Sequence, residues 1–126
     1  MPSRTFRTLV IEPEVLIAMD IERILVDLMD IRGTVDISRC GIPGPHLGEY
    51  DLVIYSVDST NIGQINLLRN FVRPDTAVVL LSTFDENVFG NPVSWPLLSK
   101  PFSPDELTAA VRSQLSAIQH ETGCLH

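Results

Sequence analysis

The sequence predicts a doubly wound α/β domain built on a five-stranded parallel sheet. Short apolar segments of strand length alternate along the chain with amphipathic segments of helical period, which is the pattern of repeated strand–helix–strand units. Residues 52–55 and 77–81 are apolar without interruption, as expected for strands buried on both faces. Right-handed crossovers between such strands place helices on both sides of the sheet.

The composition is that of a single cytoplasmic domain. The chain has 126 residues, of which 44% are hydrophobic and 20% charged, which suits one packed core and argues against disorder. No apolar run reaches the roughly 20 residues that span a bilayer. A formal net charge of −7 disfavours nucleic acid and membrane surfaces as partners. The two cysteines, Cys40 and Cys124, have no metal or redox spacing.

The first half of the chain predicts two strands and one clear helix before the third strand at residues 52–55. Residues 6–11 form a strand, and Pro13 ends it and suits the first turn of a helix. That helix ends before Gly33, with an apolar stripe on its inner side and charged residues opposite. Residues 34–37 are the second strand. Two prolines and three glycines in residues 39–49 then predict that the second crossover helix is lost or shortened.

The second half begins with a helix of residues 62–72, which Arg73-Pro74 ends. Residues 77–81 form the fourth strand, and residues 97–98 begin a shorter fifth strand. Glycine and prolines between these strands leave room only for a turn or two near residues 85–89. The fourth crossover helix is therefore expected to be short.

The last helix has a strong start signal. Ser103 and Glu106 have the spacing of a capping box, and Pro104 occupies the favoured first helical position. Residues 119–126 are expected to form a mobile tail of the single domain 1–126. The tail carries three metal-ligating residues in a spacing that matches no common metal site: His120, Cys124 and His126.

Polar residues follow the predicted strands where ligands of open parallel sheets bind, beyond the carboxyl ends. They are Glu12 and Glu14 after the first strand, Ser56 and Asp58 after the third, Ser82 and Thr83 after the fourth, and Lys100 after the fifth. Carboxylates, hydroxyls and the only lysine of the chain at one edge favour a magnesium or phosphoryl site.

These residues stand in segments that resemble the receiver domains of bacterial two-component response regulators, over nearly the whole chain. Residues 8–20 are similar to the family's first strand, acidic loop and first helix, and residues 50–56 to the strand that ends in the phosphorylated aspartate. Residues 80–84 resemble the family's strand that carries the switch hydroxyl. Residues 98–102, Leu-Ser-Lys-Pro-Phe, resemble the family's Lys-Pro-Phe signature. The resemblance implies a flavodoxin-like sheet of order 2-1-3-4-5 and makes Lys100 the family's invariant lysine.

The sequence departs from the family at the positions that carry phosphoryl transfer. In the family an aspartate accepts the phosphoryl group, two further acidic residues help to hold Mg²⁺, and the lysine pairs with the phosphoryl oxygens. Here Glu12 keeps the first acidic position, but Pro13 replaces the second and Ser56 the acceptor. Ser82 keeps the switch hydroxyl, and Leu97 replaces the switch aromatic. The departures predict a degenerate receiver without enzymatic activity.

Three residues allow a second interpretation. Lys100 either pairs with Glu12 as the countercharge of an empty site or is a solvated lysine. Asp58 is either a substitute ligand and acceptor or an ordinary loop aspartate. Weak Mg²⁺ binding at Glu12 and Asp58 is the most that the residues support, so no cofactor is expected. Trp95 is either a packed loop anchor or an exposed contact residue.

Three functions from different classes are consistent with the sequence. The leading hypothesis is a stand-alone pseudo-receiver that docks on a sensor histidine kinase, a phosphotransferase or another regulator without phosphorylation at Ser56, as a monomer or a homodimer. The second is a receiver that accepts a phosphoryl group at Asp58 or a serine. The third is a binder of small ligands with flavodoxin-like shape, although no glycine-rich phosphate loop supports it.

Overall fold

Five parallel strands form one sheet in the order β2-β1-β3-β4-β5, in a computed structural model that describes residues 6–28, 33–38, 48–57, 65–82 and 95–124. The strands are β1 (Arg7–Ile11), β2 (Thr34–Ser38), β3 (Leu52–Val57), β4 (Ala77–Ser82) and β5 (Leu97–Ser99). All four neighbouring pairs are parallel. The predicted doubly wound sheet and its strand order are confirmed.

Three α-helices lie in the described part of the chain: α1 (Val15–Arg23), α2 (Ile65–Phe71) and α3 (Pro104–Cys124). A π-helical segment, Ile24–Leu28, continues α1. None of the described helices is both long enough and apolar enough to cross a membrane. Because α3 includes residues 119–124, most of the predicted tail is helical, while its mobility stays a prediction. The expected loss of helix at residues 39–47 and the short helix near 85–89 lie outside the described residues.

The start of α3 has the predicted capping box. The backbone N–H of Glu106 donates to Oγ of Ser103 at 3.1 Å, and the backbone N–H of Ser103 donates to Oε1 of Glu106 at 2.8 Å. Two N–H groups that the helix itself leaves unpaired are thereby satisfied. This local signal fixes where α3 begins.

The sheet separates two apolar layers, because successive side chains of a strand point to opposite faces. One layer packs against α1 and α3; its members include Val10, Ile54, Leu81, Ile21 and Leu107. The other packs against α2 and includes Leu9, Tyr55, Leu80 and Leu68. Every residue of β3 and β4 is buried, including the apolar stretches 52–55 and 77–81 for which the sequence predicts burial. The sheet is therefore the rigid platform that positions residues at the strand ends.

A polar network that the sequence pattern did not reveal lies at the amino ends of the strands. The buried carboxylate of Asp51 accepts hydrogen bonds from the Arg7 backbone N–H and from Nη2 of Arg73, each at 2.9 Å. Nη2 of Arg73 also donates to the carbonyl oxygen of Tyr50 at 3.1 Å. The Thr76 hydroxyl donates to the same carbonyl at 3.0 Å. The network links the start of β3 to the turn before β4.

The network extends to the edge of the sheet through Tyr50. Its hydroxyl donates to Oδ2 of Asp36 in β2 at 2.7 Å, and the Arg7 guanidinium lies 4.7 Å from the centre of its ring. Burial raises the pKa of Tyr50, and the hydrogen bond to Asp36 raises it further. The hydrogen bond to Glu49 raises the pKa of Arg7. These contacts belong to the end of the sheet opposite the candidate site.

Candidate functional site at the carboxyl ends of the strands

The structure brings together Glu12, Ser56 and Lys100 at the carboxyl end of the sheet. Nζ of Lys100 lies 2.7 Å from Oε1 of Glu12 and donates a hydrogen bond to Oγ of Ser56 at 2.5 Å. The Glu12 side chain has no exposed surface, and that of Lys100 is 12% exposed. We call these three residues the lysine cluster. The predicted pairing of Lys100 with Glu12 is present.

Strand register explains why residues so distant in sequence meet. In the pairing of β1 with β3, Ile11 lies beside Tyr55, so Glu12 and Ser56 each come one residue later. On the other side, Ser82 lies beside Ser99 where β4 pairs with β5, and Lys100 follows directly. The Lys100 backbone N–H also donates to the carbonyl oxygen of Ser82 at 2.8 Å. The ends of four strands therefore converge on Lys100.

The local backbone holds the Glu12 carboxylate in place. Its Oε2 accepts a hydrogen bond from the backbone N–H of Glu14 at 3.1 Å, and its own backbone N–H donates to the carbonyl oxygen of Ser38 at 3.0 Å. Oε1 accepts no directional hydrogen bond within the described part of the chain, so its contact with Lys100 is an ion pair between closely approaching charges. The lysine supplies the countercharge that a buried carboxylate needs.

The cluster is a poor match for a magnesium ion. Mg²⁺ requires several oxygen ligands in near-octahedral geometry and gives up its water reluctantly. Among the described residues of the cluster, Glu12 offers the only carboxylate, and an ammonium already lies against it. Pro13 is exposed and brings no side-chain oxygen, and Ser56 brings a neutral hydroxyl. The residues described at this edge therefore do not fit the ion.

The remaining predicted residues have different positions. Glu14 is exposed and meets the cluster through its backbone N–H. Ser82 is buried as the last residue of β4, and its carbonyl oxygen contacts Lys100. Leu97, in β5, is half-buried against the apolar layer on the α2 side. Trp95 packs half-buried against the same layer, which favours the anchor interpretation. Asp58 and Thr83 lie outside the described residues.

Ser56 differs from its predicted position in one respect. The sequence places it just after the third strand, whereas β3 continues through Ser56 to Val57. Ser56 pairs with Leu81 in the register of β3 and β4 and is 5% exposed. Sheet pairing with the fully buried β4 extends the strand beyond its apolar sequence. The hydroxyl of Ser56 is thus held by rigid backbone beside Lys100.

Comparisons with solved structures identify the architecture, whereas neither protein-family models nor curated proteins give a match. A response regulator receiver protein from Sinorhizobium medicae superposes with a TM-score of 0.69 and 20% identity, over 91% of this chain and 98% of that chain. A CheY-like receiver domain from Methanospirillum hungatei superposes with a TM-score of 0.70 and 16% identity, over 94% of this chain and 99% of that chain. A receiver domain from Bermanella marisrubri superposes with a TM-score of 0.70 and 20% identity, over 89% of this chain and 99% of that chain. The chain has the receiver-domain fold.

Within the receiver-domain fold, the lysine cluster lies at the edge where the resemblance placed the phosphoryl site. The Lys-Pro-Phe segment follows β5, and its Lys100–Pro101 peptide bond is cis. Glu12 follows β1, and Ser56 lies near the end of β3. The cluster therefore brings three positions that the resemblance assigns into one set of contacts: an acidic position, the acceptor position and the lysine.

The outer face of α1 is a feature that the sequence interpretation missed. The pattern predicts charged residues there, yet apolar side chains of α1 and its π-helical continuation are exposed on it. They are Val15 at 41%, Leu16 at 81%, Met19 at 56% and Val26 at 45% exposure. Their helical spacing could have been read from the sequence as a second apolar stripe. The sequence interpretation considered only the apolar residues that face the sheet, and it therefore missed this second stripe.

Proposed function

We propose that the chain is a non-enzymatic pseudo-receiver, a protein-interaction module of two-component signalling that works without phosphorylation at Ser56. The receiver-domain fold supports the signalling role, since the structural neighbours are receiver domains of response regulators. Its partner on this proposal is a protein such as a sensor histidine kinase, a phosphotransferase or another regulator. The net charge of −7 argues against nucleic acid as the partner.

The contact between Lys100 and Glu12 is the observation that carries the proposal. In phosphoryl transfer, cations neutralise the charge that develops on the transferred group. Here the lysine ammonium lies 2.7 Å from a carboxylate of its own chain, and its hydrogen bond to Ser56 occupies the acceptor position. A phosphoryl group entering this edge would have to separate a buried ion pair. The opposite charges already balance, so the resting chain needs no bound ion.

The chemistry of Ser56 points in the same direction. A serine hydroxyl is protonated at neutral pH and attacks phosphorus only when a base accepts its proton. Lys100 lies hydrogen-bonded to the Ser56 hydroxyl, and as an ammonium beside Glu12 it donates rather than accepts a proton. The carboxylate of the cluster is paired with Lys100 and the lysine donates to Ser56, which argues against activation of the Ser56 hydroxyl by these two residues.

Intact-mass spectrometry tests the proposal. The full chain is incubated with Mg²⁺ and acetyl phosphate, and in parallel with a phosphorylated histidine kinase, while an ordinary receiver domain serves as the positive control. We expect the control to gain one phosphoryl group and this chain to remain unmodified. A Mg²⁺-dependent gain that disappears in Asp58→Asn would overturn the proposal and make Asp58 the acceptor. A gain that disappears in Ser56→Ala would overturn it in favour of Ser56.

A further inference from the structure

The strand β2 lies at one end of the sheet, where it pairs with β1 on its inner side. None of the other strands in the described part of the chain pairs with its outer side. An edge strand of this kind carries backbone N–H and carbonyl groups to which a further strand can bind. The outer side of β2 therefore offers a template for the addition of a strand.

The hydrogen bonds to β1 show which backbone groups of β2 point outward. The backbone N–H of Thr34 donates to the carbonyl oxygen of Phe6 at 3.1 Å, and the N–H of Glu12 donates to the carbonyl oxygen of Ser38 at 3.0 Å. The N–H and carbonyl of one strand residue point to the same side, and those of the next residue point to the other side. The outward-facing groups are therefore those of Val35 and Ile37, which we call the β2 edge.

The side chains of β2 give its two faces a different character. Ile37 lies beside Val10 in the register with β1, so it faces the layer of α1 and α3, and it is 39% exposed. Val35 packs against the same layer. Asp36 lies beside Leu9 and faces the opposite side of the sheet. An added strand would thus cover Ile37 on one face and meet Asp36 on the other.

One guanidinium serves two carboxylates beside the β2 edge. Nη2 of Arg7 lies 3.6 Å from Oδ2 of Asp36, and Nη1 of Arg7 lies 2.8 Å from Oε1 of Glu49. The side chains of Asp36 and Glu49 are 47% and 52% exposed. These three groups keep one net negative charge, so a cation on an added strand would be attracted to them.

The same charge disfavours a second copy of the chain at this edge. The antiparallel pairing that uses Val35 and Ile37 of both copies places each Val35 opposite the Ile37 of the other copy. The two Asp36 residues then lie directly opposite one another at the centre of the ladder. Like charges in that position are destabilising, whereas a lysine or arginine opposite Asp36 is favourable.

We infer that the β2 edge binds an extended segment of a partner protein, antiparallel to β2, in which a lysine or arginine lies between two apolar residues. The basic residue lies opposite Asp36. The two apolar residues lie opposite Val35 and Ile37, exchange backbone hydrogen bonds with them and cover the exposed Ile37 side chain. The inference rests on the proposed function, because it gives the interaction module a surface and a partner chemistry.

Synthetic peptides and the full chain test the inference by fluorescence anisotropy. One labelled peptide has the central sequence Val-Lys-Val, and in its twin a glutamate replaces the lysine. We expect the lysine peptide to bind and the glutamate peptide to bind at least about tenfold more weakly. N-methylation of the two valine amides removes the donors that face β2 and should weaken the lysine peptide by at least about tenfold. N-methylation of the lysine amide, which points away from β2, is the matched control and should have a much smaller effect.

Variants of the chain locate the site. Ile37→Pro removes an outward N–H but no hydrogen bond to β1, and it should weaken the lysine peptide by at least about fivefold. Ile37→Val keeps the N–H and is the matched control. Asp36→Asn leaves Arg7 balanced by Glu49 and should abolish the preference for lysine over glutamate. Circular dichroism shows whether each variant is folded. Independently of Ile37→Pro, peptide binding should slow hydrogen exchange of the Val35 and Ile37 amides, measured by nuclear magnetic resonance.

Three outcomes would overturn the inference. They are the absence of binding by the lysine peptide, equal effects of the two N-methylations, and self-association of the wild type that Ile37→Pro abolishes. The last result would make the β2 edge a homodimer interface. The proposed function is tested separately by the intact mass. A chain that is phosphorylated at Ser56 or Asp58 and still binds the lysine peptide would support the inference while the proposed function fails.

Discussion

Lys100 and Glu12, separated by 88 positions in the chain, form an ion pair of 2.7 Å in which the carboxylate is fully buried. Burying one charge alone would be strongly unfavourable, so each residue is required by the other. The pair occupies the edge of the sheet where parallel α/β proteins bind ligands. A site that balances its own charge in this way has a structural role that can be measured separately from any signalling role.

Breaking the pair should destabilise the fold. We expect Glu12→Gln and Lys100→Met each to lower the free energy of unfolding by about 3 kcal/mol, because each leaves a desolvated charge unpaired. The double variant should lose less than the sum of the two. Urea denaturation measures all three. Arg23→Gln, which breaks an exposed pair with Asp20, is the control and should change stability by no more than about 1 kcal/mol. Additive losses would contradict a direct coupling of Glu12 with Lys100.

Restoring carboxylates should restore magnesium binding only when two are added. Ser56→Asp alone should recover little affinity, because the Lys100 ammonium at this position neutralises the new charge. Pro13→Asp combined with Ser56→Asp should give measurable Mg²⁺ binding by isothermal titration calorimetry. Pro13→Asn with Ser56→Asn provides uncharged side chains of similar shape as the control. Equal affinity of the single and double aspartate variants would contradict the argument.

Substitution by valine should change the stability of the fold in opposite directions at the two buried threonines near the strand starts. Oγ1 of Thr8 is buried with no hydrogen-bond partner among the described residues, so Thr8→Val should raise stability by about 1 kcal/mol. Oγ1 of Thr76 donates to the Tyr50 carbonyl and accepts from the Arg73 backbone N–H. Thr76→Val should lower stability by about 1–2 kcal/mol. Thermal and urea unfolding would show whether the two signs differ.

Tyr50 should make the fold sensitive to alkaline pH. Burial and the hydrogen bond to Asp36 raise its pKa in the folded state, so the folded chain keeps this proton at a pH where the unfolded chain loses it. The stabilisation is complete below the unfolded value of about 10 and is lost as the pH rises through the folded pKa. Tyr50→Phe should therefore lose less stability than wild type between about pH 8 and about pH 11. If wild type and Tyr50→Phe lose the same amount of stability over this pH range, Tyr50 is not the source of the alkaline sensitivity.

Gly33 should be intolerant of a side chain. Its φ is +113°, and a Cβ at this residue would overlap the carbonyl oxygen of Phe6. Gly33→Ala should therefore cost about 1–3 kcal/mol of stability. At Gly48, an added Cβ would lie 3.6 Å from the Phe71 carbonyl oxygen, an ordinary contact. Gly48→Ala is thus the control, with an expected change within about 1 kcal/mol measured by urea denaturation.

Local sequence rules were sufficient for the described strands and helices and for the candidate residues at the strand ends, whereas the strand order came from the resemblance to receiver domains. Alternating apolar periods predict the strands and helices, and the Ser103–Glu106 spacing predicts the helix start that the hydrogen bonds confirm. The positions of Glu12, Ser56 and Lys100 after or near strand ends follow from the same pattern. These features depend on residues within a few positions of one another, where backbone geometry limits the alternatives.

Only the tertiary structure decided how those residues contact one another. Strand register sets the 2.5 Å hydrogen bond between Lys100 and Ser56, and no local pattern specifies the register of distant segments. The hydrogen bond between Asp51 and Arg73 also joins separate elements. The apolar side chains exposed on the outer face of α1 are a third case, because an apolar residue on a helix is buried or exposed according to what packs against it. The sequence by itself thus determined which chemical groups reach each edge, and long-range packing determined which of them meet.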